Sequence, residues 1–288
     1  MLIAIGFIIV IFSVFGGFAM AGGALGPLWQ PFEVLMIGGA GVGAFIAANN
    51  GKAIKATFNV AKKLKATTKY NKNVYMELMS VLYKILNKMR RDGMLAVERD
   101  IEEPAESAIF QEHPLVLEDD MIRDFLTDYL RLMISGNMNP QELDELMLHE
   151  IESFETEAHV PADAIAKVGD AMPAFGIVAA VLGVVKALSS ADAGPDEMGV
   201  MIAHALIGTF LGILLGYGFI NPIASRVERQ VAEAMKALQC IRVTLLASMG
   251  GYAPQLAVEF GRKALDTVER PSFNELEDHV RGNKPAES

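Results

Sequence analysis

Residues 200–222, VMIAHALIGTFLGILLGYGFINP, contain no Asp, Glu, Lys or Arg, and this run restricts the chain more than any other feature. At ~1.5 Å of rise per residue, a helix of this length reaches about 30 Å, the thickness of a bilayer's hydrocarbon core. Ala205, Gly208, Gly212 and Gly216 recur every three or four residues. That spacing lines small residues along one helical stripe and lets a second backbone approach closely. Thr209, the only hydroxyl near mid-span, lies beside the stripe. A simple lipid anchor has no need of such a seam, so the run reads as one helix of a packed bundle.

The chain as a whole is 52% hydrophobic, above the usual share for a soluble domain, and the excess is localised. It collects in four runs: Leu2 to Ala21, Val34 to Ala48, Val168 to Leu188, and Met198 to Pro222. The first ends in Ala19-Met20-Ala21, which looks like a signal-peptide cleavage site. No basic residue precedes the apolar stretch, as a signal peptide requires, so this run too is read as a span. The second is short; Glu33 opens it, and Gly39 and Gly43 give it a small-residue face expected to pack. Its Gly39-Ala-Gly-Val-Gly43 cluster superficially matches a phosphate loop. No Lys-Ser/Thr follows and no strand precedes it, so helix packing is the better reading.

Orientation follows from the basic residues. Residues 22–33 and 189–199 have none, whereas 49–167 carry 15 and 223–288 carry 9. The large middle segment and the C-terminal segment are therefore expected in the cytoplasm, with both termini inside and the two short loops outside. Directly after the second span come Lys52, Lys55, Lys62, Lys63, Lys65, Lys69 and Lys72 with no acidic residue among them, a pattern suited to anionic membrane lipid.

From Val74 the spacing of Leu78, Val81, Leu82, Ile85 and Met89 is that of an amphipathic helix in water. Arg90, Arg91, Asp92 and Gly93 end it. A short helix carrying Glu98, Arg99, Asp100, Glu102 and Glu103 follows and stops at Pro104; another runs from Asp119 to Ser135 and stops at Gly136. Asn139 and Pro140 read as N-cap and first residue of an acidic helix ending near Glu157. With 21 acids against 15 bases, residues 49–167 exclude nucleic acid as a partner. Most such charges solvate helix faces, but the mixed cluster Arg90 to Glu103 suits electrostatic docking.

No enzymatic constellation, metal site or cofactor motif is present in the pattern. Cys240 is alone, and His113, His149, His159 and His279 are scattered without ligand spacing. His204 falls near the outer end of the fourth span and reads as a headgroup-level residue. In the third run, Asp170 and Lys186 lie near opposite ends, about 24 Å apart on a straight helix, and cannot pair within it. Pro173 frees a backbone carbonyl one turn inside the span, and Pro222 does the same at the end of the fourth. Two prolines at matching depth would form a hinge pair, although helix termination alone would explain Pro222.

These residues resemble a family. Ala205-Leu-Ile-Gly-Thr209-Phe-Leu-Gly212-Ile-Leu with Pro222 beyond it is similar to the signature of flagellar motor stator A subunits, the MotA family within the MotA/TolQ/ExbB ion-channel group. Gly169-Asp170-Ala-Met-Pro173-Ala-Phe-Gly-Ile-Val, Gly251-Tyr-Ala-Pro254, Val258-Glu-Phe-Gly-Arg262-Lys263 and Arg270-Pro271-Ser-Phe are similar too. The resemblance covers essentially the whole chain. It implies a pentameric ring of this subunit around the transmembrane helices of two peptidoglycan-anchored, MotB-like B subunits, in the bacterial inner membrane. It further implies that Thr209 and Ala180 line the ion pathway, that Pro173, Pro222 and Asp170 couple ion passage to movement, and that Arg90, Glu98 and more weakly Glu150 face a FliG-like rotor switch protein. Sodium-driven relatives tend to carry a second hydroxyl in the third span, where this chain has Ala179 and Ala180, so the expected ion is the proton.

The expected fold is an all-α membrane protein with four transmembrane helices. Residues 1–50 form spans 1 and 2, 51–167 a helical cytoplasmic rotor-facing domain, 168–222 spans 3 and 4, and 223–288 cytoplasmic C-terminal helices with a tail. A TolQ/ExbB-like energiser of outer-membrane processes is the nearest alternative, but such proteins resemble three-span chains with the N-terminus outside. A non-conducting membrane scaffold is the alternative from another class.

Overall fold

The computed structural model describes residues 2–63, 69–190 and 194–280. Among them every regular element is a helix. Four helices are long and apolar enough to cross a membrane: Leu2–Met20, Gly26–Ala48, and apolar stretches of Pro140–Ser189 and Pro195–Met249. The four-span expectation therefore holds.

The helices gather into two compact units, each drawn from two separate stretches of the chain. One comprises Met1–Thr67 with Ala158–Arg229, the other Thr68–Glu157 with Gln230–Ser288.

In the first unit, small residues decide the packing. A Cβ added to Gly176 would lie 2.7 Å from the Gly208 carbonyl oxygen; one added to Gly212 would lie 2.6 Å from the Met172 carbonyl oxygen. The glycine stripe of the fourth span thus faces the third, at a separation that only glycine permits. Ile37 of the second span, Met172 and Ala179 of the third, and Ile207 and Leu211 of the fourth form the buried cluster. Within the chain Gly39 and Gly43 are exposed with open space beside them, and Gly41 is the glycine that meets Met172. Their spacing marks a small-residue face, but spacing alone does not say which glycine a neighbour will fill. Phe12, Phe32 and Leu35, each about 70% exposed, lie on membrane-facing helices where lipid rather than water is the solvent.

One helix end expected from the sequence is absent, and the alternative reading of Pro222 as a helix terminator fails as well. The acidic helix does not end near Glu157; it continues from Pro140 to Ser189 through Pro161 and Pro173. An interior proline costs about 3 kcal/mol, yet residues 157–168 contain no capping Gly or Asn and are rich in alanine, the best helix former, so nothing stops the helix there. Pro222 likewise does not terminate the fourth span. A π turn, Gly216–Ile220, precedes it and helix resumes over Asn221–Met249. Such a turn shifts the hydrogen-bond register, which accommodates the N–H that Pro222 lacks.

The second unit folds around large apolar side chains. Leu78, Leu82 and Ile85 of Lys72–Asp92, Phe110, and Phe125, Leu126 and Tyr129 of Asp120–Ser135 are all at most 2% exposed. Helix ends follow local chemistry. The Asn71 side chain accepts from the Asn73 and Val74 N–H groups, and Gly93, at φ +95°, ends the helix in a conformation that side chains disfavour. Asp119 caps the next helix and Gly136 closes it at φ +67°. Asn139 accepts from the Gln141 and Glu142 N–H groups while Glu142 accepts from the Asn139 N–H, a reciprocal capping box. Helices Pro254–Ala264 and Phe273–Val280 pack on Lys72–Asp92.

Candidate functional site

The seam between the third and fourth spans is where small residues and a lone hydroxyl meet inside the apolar spans. Thr209 is half-buried on it, its Cα 3.3 Å from where a Gly176 Cβ would stand. Ala180 is buried, with its backbone nitrogen 3.3 Å from the corresponding point at Gly208. The structure therefore brings Thr209 and Ala180 to the same close-packed region. No acidic residue occupies the third run between Asp170 and Lys186, or the fourth between 198 and 222. A titrating carboxylate at mid-membrane depth has to come from another chain.

At one end of the seam the two spans approach most closely. A Cβ on Gly216 would sit 2.4 Å from the Gly169 carbonyl oxygen, the acceptor that Pro173 leaves without its usual helical partner, and 3.2 Å from Pro173 Cδ. Pro173 therefore faces the start of the π turn. Pro222 lies beyond that turn and beyond Asn221, whose side chain meets Gly169; the two prolines do not share one depth, contrary to the expectation. Antiparallel neighbours place residues later in one span beside residues earlier in the other, and the register carries Pro222 past Pro173. Asp170 is exposed and accepts a 2.8 Å hydrogen bond from Asn221 Nδ2. Asn221 is a polar contact that the sequence reading missed; an Asn beside Pro222 at a span's end was the available signal.

The charged residues of the second unit are disposed differently. Arg90 and Glu98 are both exposed, one at the end of Lys72–Asp92 and the other at the start of Glu98–Glu102, joined by Gly93 and the short turn Met94–Val97. Their neighbours are paired: Lys88 with Asp100 at 2.6 Å, Arg91 with Asp92 at 2.8 Å, Arg99 with Glu106 at 3.2 Å. The Arg91 fork holds the Asp92 carboxyl below its ordinary range. Among the described residues, no ion pair of this kind involves Arg90 or Glu98, and both are exposed. Arg90 borders a methionine-rich groove with Met89, Met94, Met133, Met138 and Met249. Glu150 stands apart: it is half-buried and accepts a 2.6 Å hydrogen bond from the Tyr129 hydroxyl. Burial first, and then this bond to Glu150, push the Tyr129 pKa up. Glu150 is thus partly committed within the fold.

Comparison with known proteins identifies the family. Residues 4–93 match the family model "Motility protein A N-terminal", and residues 117–240 match "MotA/TolQ/ExbB proton channel family". The chain is 57% identical to Motility protein A of Salmonella typhimurium over 98% of its length and 95% of that protein, and 55% identical to Motility protein A of Escherichia coli over 99% and 96%. Among solved structures it is similar to the flagellar MotAB stator complex from Bacillus subtilis, at TM-score 0.72 and 25% identity over 89% of this chain and 92% of that one. A C. jejuni MotAB structure shares the fold at TM-score 0.77 and 21% identity, over 94% and 98%. With four apolar helices, a glycine-packed seam and this degree of identity along nearly its whole length, the chain belongs to the Motility protein A family of flagellar motor stator A subunits, within the MotA/TolQ/ExbB proton channel group.

Proposed function

We propose that the chain works with a MotB-like B subunit, anchored to peptidoglycan, as a proton-driven stator in the bacterial inner membrane, and passes force to a FliG-like rotor protein. The observation that carries this reading is the third and fourth spans' seam: packed through Gly176, Gly208 and Gly212, flanked by Thr209, and devoid of acidic side chains of its own between Asp170 and Lys186 and between 198 and 222. Such a pair of helices can line a proton path but cannot bind and release a proton at mid-depth. The B subunit's transmembrane helix supplies that carboxylate. Protonation removes a charge from a poorly solvated place and changes which packing against the seam is preferred. Thr209 offers a hydroxyl to the path beside Ala180, while Pro173, Asp170 and Pro222 carry the change along the two spans.

In this reading five copies form a ring, both termini and residues 51–167 and 223–288 are cytoplasmic, and Lys52 and Lys55 rest on anionic headgroups; Lys65 lies outside the described residues. The strong bias of Lys and Arg toward these segments supports the orientation. The exposure of Arg90 and Glu98 supports a docking role for that helix junction, with Glu150 a lesser contributor.

The decisive experiment measures motor speed in a strain powered only by this subunit and its B partner. Rotation persists when sodium is removed and stops when a protonophore collapses the proton gradient; dependence of speed on sodium at constant proton-motive force would refute the proton assignment. Arg90→Glu or Glu98→Lys lowers torque at unchanged membrane abundance, and reversed charges on the rotor partner recover it. Cysteine labelling from outside at positions 26 or 194, but not at 70 or 270, checks the orientation.

A further inference from the structure

Asn221 is the contact that the resemblance did not supply. Its amide Nδ2 donates to Asp170 Oδ1 at 2.8 Å, tying the fourth span to the third. Its other side-chain atom, Oδ1, is buried and without a hydrogen-bond partner. That oxygen occupies the space a side chain at 169 would fill: a Cβ on Gly169 would lie 1.8 Å from it. The clearance exists only because residue 169 is glycine. Three neighbouring features meet here. Pro173 frees the Gly169 carbonyl, Gly216 backs onto that carbonyl, and the π turn Gly216–Ile220 delivers Asn221 directly before Pro222.

We propose that Asn221 is a positioning residue of the stator, whose hydrogen bond to Asp170, made in the clearance over Gly169, holds the two proline-bearing segments together so that they move as one element during coupling. The inference rests on the stator reading and extends it to a residue outside the expected set. A hydrogen bond from an amide to a carboxyl oxygen is directional, and here it ties side chains of two different spans. It therefore biases the packing of the two spans. Its two residues stand just before Pro173 and Pro222 along the two spans, next to the Gly169 carbonyl that Pro173 frees.

The test exchanges donor and acceptor. Asn221→Asp sets two carboxylates side by side and is expected to reduce motor speed at high load several-fold, with the subunit still inserted and still copurifying with the B subunit. Adding Asp170→Asn restores the bond with its polarity reversed and raises the speed above that of Asn221→Asp alone. Asn221→Leu, similar in volume but unable to donate, stays slow. A second readout needs no rotation: hydrogen exchange of residues 214–224 in the purified protein accelerates in Asn221→Leu and returns toward the unmutated rate in the double variant. An exchanged pair as slow as Asn221→Asp alone, or exchange unaltered in Asn221→Leu, overturns the proposal. Failure of the unmutated chain to drive rotation with its B subunit would instead strike the stator reading and leave the exchange result standing.

Discussion

The two units of this chain reach close packing by opposite means. The first brings backbones together at Gly176, Gly208, Gly212 and Gly216, where an added Cβ would come within 3.1 Å of a neighbouring helix. The second holds its helices apart with Phe110, Phe125, Tyr129 and a row of leucines, all at most 2% exposed. Solvent explains the contrast. In water, removing apolar area contributes roughly 25 cal/mol per Å², so large side chains are the favourable ones to bury. In lipid the surroundings are as apolar as leucine, that driving force is absent, and association depends on contact between surfaces that fit. The charges lean the same way: Lys69 with Asp119, Lys72 with Glu275, Lys88 with Asp100 and Arg242 with Asp144 are all ion pairs of the second unit.

The sharpest way to break this comparison is to delete volume where volume is said to matter. Phe125→Ala is expected to cost about 3–5 kcal/mol, read as a fall in the melting temperature of the second unit's helical signal in detergent. A loss under about 1 kcal/mol would mean that the site collapses freely and that the core is not close-packed. The converse change adds one methyl group to the seam. In Gly212→Ala the new Cβ meets the Met172 carbonyl oxygen at 2.6 Å and Gly176 Cα at 2.9 Å, both backbone, so the spans must separate. Overpacking of this kind costs about 1–3 kcal/mol, and loss of motor function should exceed the loss of stability. Gly43→Ala, with open space around it, is the control expected to be neutral in the isolated chain. Equal effects at 212 and 43 would remove the argument for a seam.

Much of this contrast was legible in the sequence, though unevenly. The stripe Ala205, Gly208, Gly212, Gly216 announced close approach because its spacing matches the helical period and nothing else in an apolar run requires glycine. Gly93, Gly136 and Asn139-Pro140 marked helix ends because capping is local chemistry, readable within about four residues. What stayed hidden was whatever depends on the neighbour. Gly39 and Gly43 had the spacing, but Gly41 had the partner, Met172. The helix through Pro161 outran its expected end because a proline's cost is weighed against packing that the sequence does not display. Of the candidate site, Thr209 and Ala180 do share one region; the prolines' equal depth did not survive the antiparallel register, and Asn221 escaped notice because its significance lies in the clearance at Gly169.

Acid offers a finer probe of the second unit. His113 is 5% exposed, and both ring nitrogens lack hydrogen-bond partners. Burial lowers its pKa to about 4, helped by Lys84 of Lys72–Asp92 and by His279 of Phe273–Val280, whose ring lies 6.5 Å away; Glu112, paired with Lys84, opposes the shift. Because the folded pKa lies below the ordinary 6.5, the fold favours the neutral ring. Its contribution is complete above about pH 6.5 and is lost as pH falls from there toward 4, on the order of 3–4 kcal/mol at ~1.4 kcal/mol per pKa unit. Glu275 behaves differently. Lys72 and the Ser272 N–H and hydroxyl hold its carboxyl down to about 2, so its contribution is complete above about pH 4.5 and is lost as pH falls from there toward 2. The interval between 6.5 and 4 therefore belongs to His113 together with its neighbour His279, whose pKa burial also lowers. His113→Phe should flatten the dependence of melting temperature on pH there and leave the first unit's seam unaffected; a dependence that survives the substitution assigns the acid sensitivity to other groups.

The smallest effect is expected where the second unit looks most heavily bonded. Arg131 bridges Glu102 at 2.6 Å and Asp128 at 2.7 Å, and its guanidinium lowers the Glu102 pKa through that hydrogen bond. All three side chains are about half exposed, so water competes for each partner, and fixing a long arginine costs side-chain entropy. Arg131→Ala should therefore change stability by under about 1 kcal/mol, and most of that difference should vanish as salt rises from about 0.05 to 1 M, where the screening length drops to ~3 Å. The geometry of this triad is better than that of most surface pairs, which makes it a demanding test. A loss comparable to Phe125→Ala, unmoved by salt, would mean that charge networks and not the apolar core hold this unit together, and the contrast with the glycine seam would have to be drawn on electrostatic rather than hydrophobic grounds.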